Sequence, residues 1–114
     1  MLKNFKIYTK MMEVLLWIFP KVNTFPKKQR FVLGQQIENS GLEILRLIIQ
    51  ANNEKNIARK LKHLENMNTE LDILRSLLRI SQEIKFMNAK SLGYIITQID
   101  EVGRMGGGWA KGCR

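Results

Sequence analysis

A single cysteine, Cys113, and a single histidine, His63, are all that these 114 residues offer of the side chains that usually hold zinc. With one thiol no intrachain disulfide framework is possible, and a zinc site would have to be all carboxylate, so neither a metal nor another cofactor is expected. A reducing, cytoplasmic setting is the simplest expectation. Long apolar runs are missing too. The stretch from Met11 to Phe19 is broken by Glu13 and falls far short of the roughly 20 residues that a membrane span needs. Bulky Trp17, Ile18 and Phe19 lead into Pro20 where a signal peptide would want small side chains, so no membrane partner is expected. Catalytic templates are equally scarce: no Gly-rich loop follows a strand, and the triple glycine Gly106 to Gly108 lacks the Lys-Ser or Lys-Thr of a phosphate-binding loop. An enzyme is not expected.

Acidic residues are few, and their shortage points to partners. Ten Asp and Glu stand against nineteen Lys and Arg, a formal net charge of +9, which favours nucleic acid, an acidic protein or an anionic surface. Residues 1–36 hold seven basic residues against Glu13 alone, so Lys27, Lys28 and Arg30 make a basic corner after the first helix. A second cluster, Arg59, Lys60 and Lys62 with Lys55 and His63, opens the third helix, where positive charge opposes the helix dipole. Hydrophobic residues at 45% and charged residues at 25% are ordinary for a folded, single-domain chain.

Periodicity predicts four helices, at about residues 3–19, 27–52, 54–83 and 89–104, in one domain spanning 1–105. The first places Phe5, Tyr8, Met12, Leu15, Leu16 and Phe19 on one face and ends at Pro20. Pro26 suits the first turn of the second, whose core line is Leu33, Ile37, Ile44, Leu45, Ile48 and Ala51, with Gly34 and Gly41 leaving room for a neighbouring helix. A rotated stripe, Phe31, Leu42 and Ile49, does not fit that face and suggests self-association. Ile57, Leu61, Leu64, Met67, Leu71, Leu74 and Leu78 run down the third helix, and Leu92, Ile95, Ile96, Ile99 and Val102 down the fourth, which Asn88 caps. The glycines then release the chain into a tail, 106–114, that carries Trp109 and Lys111. Long helices, short connections and no strand pattern predict an all-α, antiparallel up-down four-helix bundle.

Arg75 and Arg79 lie eighteen residues, five helical turns, after Ile57 and Leu61, and so continue an apolar line. Arginines at the border of a core need carboxylates, for which Glu38, Glu43, Asp72 and Asp100 are candidates; an internal brace, a subunit interface and a phosphate channel all fit. Arg104, four residues after Asp100, reads as a plain helix pair. Trp109 reads either as a cap on the open end of the bundle or as a platform for a base.

Several of these elements occur together in a known order: Phe19-Pro20, Pro26-Lys27-Lys28, Leu33-Gly34, the Leu-x-x-Leu-Arg-x-x-Leu-Arg segment from Leu71 to Arg79, Glu101 to Arg104, and Gly107 to Lys111. In this the chain resembles Avd, the accessory variability determinant of diversity-generating retroelements, which is similar in turn to the bundle proteins encoded in intervening sequences of bacterial rRNA genes. The resemblance implies a barrel-like homopentamer without catalysis of its own, which binds a reverse transcriptase and its template RNA, or an RNA/DNA hybrid, during mutagenic cDNA synthesis. It also implies that Arg75, Arg79, Arg104 and Trp109 stand at family positions, Lys111 closing the same segment. The chain departs in its third glycine and its brief tail after Lys111. An rRNA- or ribosome-associated bundle and a pure protein-interaction module are the two other readings that stay open.

Overall fold

A computed structural model describes residues 5–114. The elements are α1 (Phe5–Val22), α2 (Lys27–Gln29), a π-helical turn (Arg30–Gly34), α3 (Gln35–Asn53), α4 (Ile57–Glu83) and α5 (Ala89–Cys113). The short α2, the π turn and α3 follow one another without a break and make one helical rod, so four rods are present and no strand occurs among the described residues. Each rod packs on two neighbours, α1 on α3, α3 on α4, α4 on α5 and α5 back on α1. That closed square, about 43 × 24 × 22 Å, is the antiparallel up-down bundle that the periodicity predicts. The expected start of the first helix at residue 3 lies outside the described residues.

Ile37, Ile44, Ile48, Leu71, Leu74, Leu78, Ile95, Ile99 and Val102 are all buried, as their spacing requires. Each such side chain contributes roughly 1.5–3 kcal/mol on leaving water. The first helix is different. Its buried residues are Ile7, Met11, Val14, Leu15, Ile18 and Val22, whereas Phe5 and Leu16 are 62% and 70% exposed and Phe19 also faces outward. Of the expected core face only Leu15 is fully buried. The rod across from it explains the choice: a Cβ added to Gly34 would lie 2.6 Å from Val22, and one added to Gly41 would lie 2.7 Å from Leu15. Gly34 and Gly41 thus admit α1 closely, as expected, and the side chains they receive fix which way α1 turns.

Pro20 does not end α1, which continues to Val22. Its ring sits on the exposed side in the last turn, where losing one hydrogen bond matters least. Pro26 stands just before α2 with extended backbone, φ −53° and ψ 141°. Two asparagines cap as their chemistry dictates: Asn56 Oδ1 accepts from Arg59 N at 3.0 Å, and Asn88 Oδ1 accepts from Ser91 N at 2.8 Å. Asn56 therefore starts α4 at Ile57, three residues later than predicted. Ile57 is half exposed and Leu61 partly so, which moves the head of that apolar line from the core to the rim.

The largest departure is at the C-terminus. The helix runs through Gly106, Gly107 and Gly108 to Cys113 instead of releasing a tail. No glycine in the described chain has positive φ, so none acts as a left-handed stop. Gly106 packs where a Cβ would collide with the Met67 methyl, and Met105, Trp109 and Ala110 lean on the core. Those tertiary contacts hold a helix that intrinsic propensity disfavours.

Candidate partner-binding surfaces

The antiparallel path brings the connection after α1 and the connection after α4 to one end of the bundle. Phe25 and Phe86 close that end, their ring centroids 5.7 Å apart. Lys85 adopts φ 68°, a left-handed conformation unusual for a lysine, and Phe86 N then bonds back to Ser81 O at 2.8 Å, which ends α4 and aims Phe86 inward. Lys21 is occupied here, donating to Ser91 Oγ at 3.2 Å with its ammonium 5.6 Å from the Trp17 ring centroid. The other cations are not. Lys27, Lys28, Arg30, Arg79, Lys85 and Lys90 form no ion pair among the described residues, and Arg30 Nε is shut away from water without an acceptor. The expected basic corner is therefore part of a larger positive end plate. Lys85 and Lys90 were absent from the sequence expectation because only the fold brings the second loop beside the first.

At the opposite end the second basic cluster is half answered: Arg59 and Lys62 meet carboxylates, whereas Lys55 and Lys60 form no ion pair among the described residues. Arg59 Nε lies 3.1 Å from Glu54 Oε1 and His63 Nε2 lies 3.6 Å from the same oxygen, while Lys62 Nζ meets Glu65 at 3.4 Å. The Arg59 guanidinium holds the Glu54 carboxyl below its ordinary range, with help from the Asn56 backbone N–H. Lys60 is partly covered and Lys111 is exposed. Arg104 pairs with Glu101 rather than Asp100, its Nε 3.1 Å from Glu101 Oε1, and this contact lowers the glutamate's pKa and raises the arginine's. Trp109 is half-buried against the core and, with Phe5, Lys6, Arg104 and Met105, borders an open groove of about 710 Å³.

The two arginines that share one sequence motif part company. Arg75, its side chain 19% exposed, lies between Asp72 Oδ1 at 2.9 Å and Asp100 Oδ1 at 2.8 Å, tying α4 to α5. A Cβ at Gly103 would stand 3.2 Å from its Nη2, so the glycine leaves space for the guanidinium. Arg79 is exposed and has no carboxylate partner, contrary to the expectation that it borders the core. The line it continues starts at half-exposed Ile57 and partly exposed Leu61, and a line begun on the rim returns to the rim five turns later.

Apolar side chains remain outside the bundle on α1, α3 and α4 and at the π turn. Phe5, Leu16 and Phe19 form the outward face of α1, and Leu42 with partly exposed Ile49 that of α3. Ile73, Ile80 and Ile84 on and just beyond α4 make a face that the stronger core line of the same helix masks in the sequence; their seven- and four-residue spacing is its only signal there. Phe31 was grouped with Leu42 and Ile49 on the assumption of a regular helix. The π turn holds one residue more per turn than an α turn and rotates Phe31 off that line, so Phe31 and Val32 project separately at the positive end.

No group of three or more His, Cys, Asp or Glu residues is placed to hold a metal ion, and no helix is long and apolar enough to cross a membrane, among the described residues. The fold closely matches that of a Bacteroides thetaiotaomicron protein of unknown function from the S23 ribosomal protein family, with a TM-score of 0.87 over 96% of this chain and 98% of that one at 19% identity. None of the curated proteins matches. The model of the bAvd-like family matches residues 5–113, nearly all of the sequence: the chain belongs to the bAvd-like family.

Proposed function

We propose that this protein is a non-catalytic accessory subunit of a diversity-generating retroelement, which binds the element's reverse transcriptase and template RNA and supports mutagenic cDNA synthesis. Membership of the bAvd-like family carries the reading. The end plate of unpaired cations supports it, because unpaired cations are free to meet phosphates or an acidic protein face. Trp109, Arg104 and Lys111 offer a second contact region beside the open groove. The subunits assemble as a homopentameric barrel. Leu42 and Ile49 on α3 meet Ile73 and Ile80 on α4 of the next copy, which takes these outward apolar side chains out of water. A ring repeats each basic surface around its rim, so weak single contacts add through effective concentration.

Co-expression of the chain with the reverse transcriptase of the proposed element, followed by co-purification and RNA titration over a range of salt, tests this. A stable complex and an RNA affinity that falls steeply with salt are expected. Reversing Lys27, Lys28 and Arg30 to Glu should weaken partner binding without unfolding the bundle, because exposed charges contribute little to stability. Absence of a complex, together with RNA binding indifferent to salt and to these changes, refutes the proposal.

A further inference from the structure

We infer that the π turn Arg30–Gly34 is the point at which this chain grips its protein partner, and that the partner brings a segment carrying both carboxylates and apolar side chains. The inference rests on the reading above, with the polymerase as that partner, and it divides labour that the reading leaves joined. Phe31 and Val32, neighbours in sequence, are 70% and 64% exposed, the most exposed adjacent pair of large apolar side chains in the described chain. Phe31 lies near the start of its rod, at the positive end of the bundle, and the π turn shifts it around the rod relative to Leu42 and Ile49. Cations surround it. Lys27 and Lys28 are exposed beside the turn, and Arg30 lies within it.

Arg30 supplies the most direct pointer. Arg46, Arg59, Arg75 and Arg104 each meet a carboxylate of this chain; Arg30, like Arg79, meets none, and unlike Arg79 it has a buried Nε without an acceptor. Glu38 borders the same hollow, of about 370 Å³ with Lys27, Phe31 and Val22 in its wall, yet forms no ion pair with Arg30. The terminal Nη1 and Nη2 of Arg30 meet no carboxylate of this chain, and a carboxylate from outside can bridge them through two N–H donors.

The apolar pair decides between classes of partner. RNA would use the cations for phosphate and could stack on Phe31, but a branched Val32 has no face on which a base stacks and gains by burial against apolar side chains. A second copy docking end to end would bring a like positive plate against this one, an arrangement that like-charge repulsion opposes. A polymerase segment with Asp or Glu interleaved with Leu, Ile or Phe satisfies the cations and the apolar pair together.

The decisive comparison uses the full chain co-expressed with the reverse transcriptase of the proposed element, parent against the double variant Phe31→Ala/Val32→Ser. Retention of the polymerase should drop roughly tenfold or more, the loss of a hot-spot contact. Affinity for fluorescein-labelled poly(U) RNA, its salt slope and the assembly mass from light scattering should stay as in the parent. Because both side chains are exposed, the fold should survive, and an unchanged circular dichroism melt checks it. Arg30→Lys, which keeps charge but not the planar fork, should lower retention to an intermediate degree. A parent chain that captures no polymerase overturns both this inference and the functional reading. Equal capture by parent and variant overturns the inference alone, as does a parallel fall in RNA affinity, which would make the turn a nucleic-acid contact, or a fall in assembly mass, which would make it a contact between copies.

Discussion

Replacing Gly107 and Gly108 together by alanine should stabilise the protein. Both lie inside α5, five or more residues before its end at Cys113, and a Cβ added at either position meets nothing within 4 Å. No packing penalty therefore offsets the gain in helix propensity, which is about 0.8–1 kcal/mol for each exposed interior glycine. The pair is worth roughly 1.5–2 kcal/mol. For a domain of this size, with an unfolding entropy of roughly 2.1 cal/mol/K per residue, that corresponds to a rise in Tm of about 6–8 °C. Thermal and urea unfolding followed by circular dichroism at 222 nm measures both quantities, and the urea slope should not change. Gly106→Ala is the internal contrast. Its Cβ would run into the Met67 methyl, so the same propensity gain is opposed by a forced movement of Met67 and the rise should be smaller or reversed. If 106–114 were the free glycine tail that local sequence rules suggest, all three changes would leave Tm where it was. A flat response to Gly107→Ala/Gly108→Ala refutes the continuous helix.

A closed ring needs two unlike faces, and apolar faces on α3 and α4 are available for it. Leu42→Glu/Ile49→Glu and Ile73→Glu/Ile80→Glu should each abolish assembly alone, whereas an equimolar mixture should give a 1:1 dimer by light scattering, because one good pair of faces survives; a mixture that stays monomeric refutes the pairing. Arg75→Ala should lower stability by about 1 kcal/mol, a small value because its partners Asp72 and Asp100 are 73% and 58% exposed; a loss above about 3 kcal/mol would mean that the brace is far less screened than its exposure indicates. Glu54 and Glu101 have folded pKa values below the ordinary 4.5, so their stabilising pairs with Arg59 and Arg104 are present above that value and are lost as pH falls through the lower, folded values. Tm should begin to decline below about pH 4.5, and Glu54→Gln/Glu101→Gln should shallow that decline; an identical acid profile for parent and variant excludes these two carboxylates as contributors.

Local rules read some elements correctly and failed at others for definable reasons. Asn88 is an N-cap in the structure as in the sequence, because a cap is a contact between residues three apart. Gly34 and Gly41 mark close helix contacts for a similarly simple reason: a missing side chain on a core line can serve little else. Grouping Phe31 with Leu42 and Ile49 assumes a constant turn of helix between them, which the π turn at Arg30–Gly34 interrupts, and a π turn has no mark in composition. The basic cluster at Arg59 and Lys62 was legible as charge, but not as charge already answered by Glu54 and Glu65.

Sequence by itself determined the number of rods, their order, the all-α class, the excess of positive charge and the family, since each of these depends on periodicity, composition or motif order along one chain. Tertiary structure decided matters that depend on what lies opposite. α1 carries two apolar stripes, and neither its spacing nor its hydrophobicity says which is inward; Gly34 and Gly41 on the neighbouring rod receive Val22 and Leu15, and that fit turns Phe5, Leu16 and Phe19 to the outside. The triple glycine should end a helix in isolation, yet Gly106 against Met67, with Trp109 on the core, carries α5 onward to Cys113. Arg75 and Arg79 share one motif four residues apart, and only the position of Asp100 on the next rod makes the first a brace while the second stays in solvent. Burial and pairing belong to two surfaces at once, so they are settled when the rods meet and not before.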